Sequence, residues 1–263
     1  MARAREAAHL TRARMVALVS AMAVAGAAGV SAQPATGDRA SPLSTECQVA
    51  GISLGGSAAL PNLAKALKEN RPIRVLSIGA SAYAGWDPKR GGYHRVIEAL
   101  LEKTFKGLDV KIIDRGFSGE LARAVAERLN VEVALTDPDV VLWQTGTSDA
   151  MARIPVEEFK ETLTDMVRWL KAHDVDVVLV GLQYSRGVAN DTHYQLLRAA
   201  VKEVADAEKV LRVGRYEAME IIDRARAVNG QPGPDDLVIA EAGYVCMAEF
   251  VARAISTALF AKR

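Results

Sequence analysis

From residue 73 to residue 213, short runs of consecutive apolar residues alternate with longer stretches whose apolar positions recur at helical spacing. The runs Arg74–Ile78, Val110–Ile113, Val140–Gln144 and Val177–Leu182, with a weaker one at Val210–Val213, predict strands. They are rich in Val, Ile and Leu and do not alternate with polar residues, the pattern of strands covered on both faces of a parallel sheet. Helical periodicity covers Tyr93–Phe105, Leu121–Asn130, Val156–His173, Thr192–Ala207, Tyr216–Asn229 and Ala242–Phe260. In the third of these, Phe159, Leu163, Met166, Val167 and Leu170 form one apolar stripe. Strand and helix in strict alternation predict a doubly wound, three-layer α/β domain with a central parallel sheet. Chemistry in such sheets sits in the loops beyond the C-terminal ends of the strands.

The same patterning sets the first residues apart. MARAREAAHLTRAR is basic, MVALVSAMAVAGAAGV is apolar, and VSA before Gln33 fits a small-x-small cleavage site. Residues 1–32 therefore read as a cleaved signal peptide. The alternative is an uncleaved anchor, for which the apolar run Met15–Val30 falls short of the roughly 20 residues a spanning helix needs. Residues 33–46 read as a flexible leader and 47–263 as one domain. The expected location is periplasmic or secreted, with no stable membrane insertion after cleavage.

Composition adds exclusions. Of 263 residues, half are hydrophobic and a quarter charged, and the net charge is +1. This is the balance of a globular protein with a sizeable core. Without a basic patch carrying interleaved aromatics, it gives no case for a nucleic-acid partner. The absence of a metal-ligand cluster leads us to expect no metal and no cofactor. The two cysteines, Cys47 and Cys246, gain meaning from export, because an oxidising compartment lets them pair. That bridge would close a very long loop, worth about 4–5 kcal/mol in the chain-entropy model. Otherwise Cys246 is a buried free thiol on an apolar helix face.

Four loops could carry chemistry. IRVLSIGASAYAG (Ile73–Gly85) runs from the first strand into a small-residue turn with Ser81, where small neighbours let a carbonyl approach backbone N–H groups. Tyr83 and Trp86 in the same loop could line a pocket or simply pack. GASAY is not G-x-S-x-G, and no G-x-G-x-x-G is present, so neither the α/β-hydrolase elbow nor the dinucleotide fingerprint is supported. DRGFSGE (Asp114–Glu120) follows the second strand, with Gly116 and Gly119 able to aim an N–H into a crevice. WQTGTSDA (Trp143–Ala150) ends the third strand; taken locally, Ser148 or Asp149 is a helix N-cap. PDDLVIAEAGY (Pro234–Tyr244) precedes the last helix. Tyr184 and Arg186, after the fourth strand, could contact an anion or stay solvated.

Taken together and in this order, GxS, RGxSGE, QxGTxD and DxLxxxxAGY resemble the SGNH/GDSL hydrolase family of esterases and lipases, over roughly residues 72–260. The resemblance implies a flavodoxin-like α/β sandwich and a small ester or acyl-glycan ligand. It implies Ser81 as nucleophile and first oxyanion donor, Gly119 and Ser148 as further donors, and Asp235 as the aspartate that orients the histidine three residues on. Here that histidine is Val238, and GTSD stands where the family has GTND. Asp114 stands where asparagine is usual.

A serine hydroxyl needs a base to take its proton and return it to the leaving group. Valine does neither, and losing the histidine of a serine triad costs roughly 10⁶ in turnover. Of the four histidines, His9 belongs to the signal peptide and His173 to a helix end. His193 and His94 remain as candidates for a rerouted base, with solvated or capping roles as the plainer alternatives. Asp149 or Asp235 acting directly on Ser81 would be a weak base. The sequence thus carries two readings: an ester hydrolase with impaired or rerouted base catalysis, or a non-catalytic relative that binds a carbohydrate, an acyl group or a protein.

Overall fold

Strands β1 (Ile73–Gly79), β2 (Val110–Asp114), β3 (Val140–Gln144), β4 (Asp176–Val180) and β5 (Leu211–Val213) form one parallel sheet in the order β2-β1-β3-β4-β5. This computed structural model describes residues 40–49, 58–79, 92–231 and 241–260, with side chains from 243 onward in the last of these. Ser81, Tyr83, Trp86, Asp235 and Val238 lie outside the described residues. The chain leaves β1 towards one edge to make β2, then crosses back to place β3 on the other side of β1. The crevice of such a sheet lies at that reversal, beyond the C-terminal ends of β1 and β3.

Alternate residues along each strand feed two separate cores. Val75, Leu142 and Val178 face one side, with α2 (Gly92–Thr104) and α9 (Glu241–Phe260) packed on it. Leu76, Trp143 and Leu179 face the other, under α3 (Ala122–Thr136), α5 (Val156–Ala172) and α7 (Thr192–Glu208). Every residue of β3 and β4 is buried, which is why their sequences run apolar without alternation. The expected flavodoxin-like sandwich is the observed architecture.

Differences lie at boundaries and in short helices. Helix α3 runs to Thr136, past the expected Asn130, because Val131 and Leu135 point to solvent and break the apolar stripe; Asp137, in the left-handed region before Pro138, ends it. Strand β4 ends at Val180, short of Leu182, whose side chain turns to pack on Gly146. Helix α1 (Pro61–Glu69) buries an apolar stripe through Leu63 and Ala66 and is capped from a distance: Asp176 of β4 accepts the Leu63 N–H (2.9 Å) and the Asn62 side-chain amide (3.1 Å). Short helices α4 (Thr147–Met151) and α6 (Arg186–Ala189) follow β3 and β4, and α8 (Arg215–Val228) follows β5.

Cys47 and Cys246 are joined in a disulfide, with Cα atoms 5.1 Å apart across 199 residues of chain. Cys47 ends a single 3₁₀ turn, Thr45–Cys47, seated on α9. Around the bridge, Ser41 N–H donates to Ser256 Oγ (2.8 Å) and Ser44 N–H to Glu249 Oε2 (2.7 Å). Ser41 and Ser44, in the leader read from the sequence, are thus hydrogen-bonded to α9.

Candidate active site

Two of the expected oxyanion donors come together at the C-terminal edge of the sheet. Gly119, in the loop after β2, has φ +78° with open space where a Cβ would stand. Only glycine adopts this backbone freely. Ser148 lies in the first turn of α4, which springs from Gly146 at φ +97°. A Cβ on Gly146 would fall 2.4 Å from Leu182 Cδ1, so β3 turns into α4 only with glycine there. Gly119 and Ser148 share a crevice of about 480 Å³ with Thr147, Leu121, Met151 and Ala152.

The two loops are tied to each other by Asp149, which is almost wholly buried. Its Oδ1 accepts the Ala122 N–H (2.9 Å), at the start of α3, and its Oδ2 the Gly146 N–H (3.3 Å). An acid at the third helical position bonding back to the N-cap residue is half of a capping box. Here the other oxygen reaches across to the Gly119 loop. Burial pushes the Asp149 carboxyl up, while these backbone donors pull it down. With both oxygens on backbone amides, Asp149 acts as a brace.

Other side chains hold the loops from outside. Arg128 of α3 donates to Glu120 (2.8 Å) and to the Arg115 carbonyl (2.6 Å), and its guanidinium lies over Phe117, 4.9 Å from the ring centroid. Thr147 Oγ1 accepts the Gln183 N–H (3.0 Å), joining α4 to the end of β4. Tyr194 donates its hydroxyl to the Gln183 carbonyl (2.6 Å), and burial raises this phenol to about 12. Arg215, the first residue of α8, is completely buried; its Nη2 donates to Gln183 Oε1 (2.8 Å). Its Nε and Nη1 have no hydrogen-bond partner among the described residues, and burial lowers its pKa.

The two candidate rerouted bases sit differently. His94, in the first turns of α2, is buried, with Nε2 2.8 Å from Ser77 Oγ and Nδ1 3.9 Å from Asp114 Oδ2. Burial lowers its pKa; Asp114 and Glu98 oppose that. His193 is half-buried in the first turn of α7, with Nε2 shielded from solvent and without a partner among the described residues. Tyr184 and Arg186, offered as anion contacts, both bond to Asp223 (3.2 and 3.1 Å).

Sequence reasoning did not find the bracing roles of Asp149, Arg128, Ser77 and Arg215. Asp149, three residues after Gly146, carried a readable capping signal, and Ser77 stood out as a hydroxyl in an apolar strand. Nothing local marked Arg215, whose partner Gln183 lies 32 residues away; Arg128 has near partners, Glu132 at i+4 and Glu120 eight residues back, which read only as an ordinary surface charge pattern.

A parallel sheet in the order β2-β1-β3-β4-β5, with the Gly119 and Ser148 loops lining one crevice at its C-terminal edge, is the frame of an SGNH/GDSL-like hydrolase. The non-GDSL lipase-like family model matches residues 46–260, and the chain belongs to that family. No curated protein is similar enough in sequence to match. Among solved structures, the chain is similar to LAE5, an alpha/beta hydrolase enzyme from the metagenome of Lake Arreo, Spain. That likeness has 22% identity and a TM-score of 0.59, over 71% of this chain and 96% of that one. TesA matches at 20% identity and a TM-score of 0.57, over 68% and 95% of the two chains. Axe2, an acetylxylan esterase from Geobacillus stearothermophilus, matches at 20% and 0.55, over 70% and 94%. These likenesses establish the fold.

Proposed function

We propose that the protein is an exported hydrolase of small esters, such as acetyl groups on glycans or short acyl chains, with Ser81 as nucleophile. Ser81 Oγ attacks the ester carbonyl carbon, the alcohol departs with a proton, and water then releases the acyl group as a carboxylic acid. The backbone N–H groups of Ser81 and Gly119 and the Ser148 hydroxyl stabilise the oxyanion. Asp235 keeps the family's aspartate position, and Val238 leaves the triad without its histidine, so turnover is slow. The observation that carries this reading is the crevice shared by Gly119 and Ser148 in a chain of lipase-like family membership. Its apolar wall of Leu121, Met151 and Ala152 suits an acyl group. Export is supported by the apolar N-terminal segment and by the Cys47–Cys246 disulfide, which fits an oxidising compartment.

The test is hydrolysis of a chromogenic acetyl ester by the exported protein, beside Ser81→Ala and Val238→His. Slow turnover abolished by Ser81→Ala, and raised by orders of magnitude in Val238→His, is expected. Val238 itself favours a second reading, in which the crevice binds a carbohydrate or acyl ligand, or a protein, without turning it over. Parent turnover that survives only with Ser81 intact excludes that second reading; its absence, together with failure of a serine-directed phosphonate to label Ser81, excludes the first. N-terminal sequencing tests export, with Gln33 expected as the first residue.

A further inference from the structure

Strand β2 stands at the end of the sheet order, with β1 on one side and, among the described residues, no strand on the other. Its ladder with β1 runs through alternate residues: Ile73 N–H donates to the Asp109 carbonyl and Arg115 N–H to the Ser77 carbonyl, both at 2.8 Å. In a parallel pair of that phase Lys111 and Ile113 also bond inward, and the N–H groups of Val110 and Ile112 point away from the sheet. Such an edge is a template for another strand. Here its donors are already taken. Glu98 Oε1 accepts the Ile112 N–H (2.7 Å), and Glu102 Oε1 accepts the Val110 N–H (3.2 Å).

The match is built into α2. Glu98 and Glu102 are four residues apart and share one face of the helix. Four residues of helix rise about 6 Å and two residues of strand about 6.6 Å, so one carboxylate meets each outward amide. Glu98 is nearly buried, and its other oxygen, Oε2, is held by Arg95 (3.0 Å). Ordering two glutamate side chains costs rotamer entropy, which water bound along an open edge would not require.

We propose that Glu98 and Glu102 form a carboxylate guard on this edge: they hold the amides through which β2 would pair with β2 of a second copy, and so keep the folded chain from joining itself there. A second copy is the occupant that the edge fits. Outward positions must face each other, so an antiparallel pair centred on Ile112 places Asp109 opposite Arg115 of the other copy, twice over. Opposite charges at facing positions favour that register. Helix α3 adds apolar surface beside it: Val131 and Leu135 are exposed, on the side of the helix from which Arg128 and Glu132 reach Arg115. An arriving strand has to expel the two carboxylates or set its own carbonyls against them, and either step opposes pairing.

The experiment is sedimentation velocity over a range of concentrations, with amide hydrogen exchange, on the full chain with its disulfide intact. The variants are Glu98→Ala/Glu102→Ala, Glu102→Ala alone, and Glu161→Ala/Asp165→Ala, which makes the same charge change at exposed positions of α5. The double edge variant should self-associate at least about tenfold more tightly than the parent, with Ile112 exchange slowing as concentration rises. The α5 pair should behave as the parent. Adding Ile112→Pro to the double edge variant should restore the parent's behaviour, because proline removes the outward N–H and spares the ladder to β1. Glu102→Ala alters an exposed side chain and serves if the double variant does not fold; Val110 exchange should speed up about tenfold. Self-association no tighter than the parent's in the double edge variant overturns the guard, as does equal tightening in the α5 pair or tightening that survives Ile112→Pro. Unchanged Val110 exchange in Glu102→Ala overturns it as well.

Discussion

The two ends of the parallel sheet treat their buried polar groups in opposite ways. At the N-terminal end, Asp176 accepts from the Leu63 N–H and from Asn62, and Asp139 accepts the Arg74 N–H (2.9 Å) and pairs with Arg71 (2.6 Å). At the C-terminal end, Gln144 Oε1, Thr145 Oγ1, Ser185 Oγ and two Arg215 nitrogens are buried without a hydrogen-bond partner among the described residues. They lie at the end of β3 or just after β3, β4 and β5, the edge where the crevice opens. Buried polar groups are nearly always satisfied, and each exception costs about 1–3 kcal/mol. One end of the sheet is built to hold the fold together. The other carries an energetic cost at the place where ligands bind in folds of this kind.

The largest effect that would sharpen this contrast is at Asp149, the well-satisfied acid of the C-terminal end. Asp149→Ala frees the Ala122 and Gly146 N–H groups and lets the Gly119 and Ser148 turns drift apart. Ester turnover should drop by about 10²–10³, the range for loss of an oxyanion donor, with a lower melting temperature. Unchanged kcat would mean that the brace does not align the crevice.

At the opposite end, Asp176→Ala should cost about 3 kcal/mol by leaving the α1 N-terminus uncapped, with KM for an acetyl ester unchanged. Burial raises the Asp176 carboxyl from its ordinary 3.8 to about 6. Its folded pKa lies above the unfolded one, so its contribution is fully present below pH 3.8 and is lost as pH rises through 6. A melting curve series from pH 4 to 8 should show that decline in the parent and a flatter profile in Asp176→Ala.

Arg215→Met tests the cost directly. Removing an incompletely paired buried charge while keeping its volume should leave stability unchanged or raise it by about 1–2 kcal/mol. A strong loss of stability would break the contrast, because it would mean that the guanidinium is well accommodated. The smallest change is Ser148→Asn, which restores the longer amide donor of the family pattern and should raise kcat about tenfold, or about 1.4 kcal/mol in the barrier.

Much of this molecule was readable one element at a time. The apolar runs located β1 to β5 within a few residues because central strands of a parallel sheet bury both faces. The glycine-bearing blocks DRGFSGE and WQTGTSDA marked the turns where Gly119 and Gly146 take positive φ. Helix α1 was missed although Pro61 and an apolar stripe through Leu63, Ala66 and Leu67 mark it locally; only its cap, Asp176, lies more than a hundred residues away. The end of α3 was misjudged because exposed Val131 and Leu135 carry no signal that tells helix from loop.

Periodicity and residue type, which are local, were enough for the architecture, the family resemblance and the pairing of Gly119 with Ser148 as candidate donors. What they could not reach were interactions whose partners meet only after the chain has crossed the sheet. Asp149 reads locally as a cap and becomes a brace only once α3 lies beside α4. Ser77 and His94 read as a strand hydroxyl and a helix-start histidine, and become hydrogen-bond partners when β1 and α2 converge. Arg215 looks like any helix-start arginine until the layers close over it. Hydrogen bonds and desolvation depend on distance in space, and sequence spacing carries that distance only within an element or a turn.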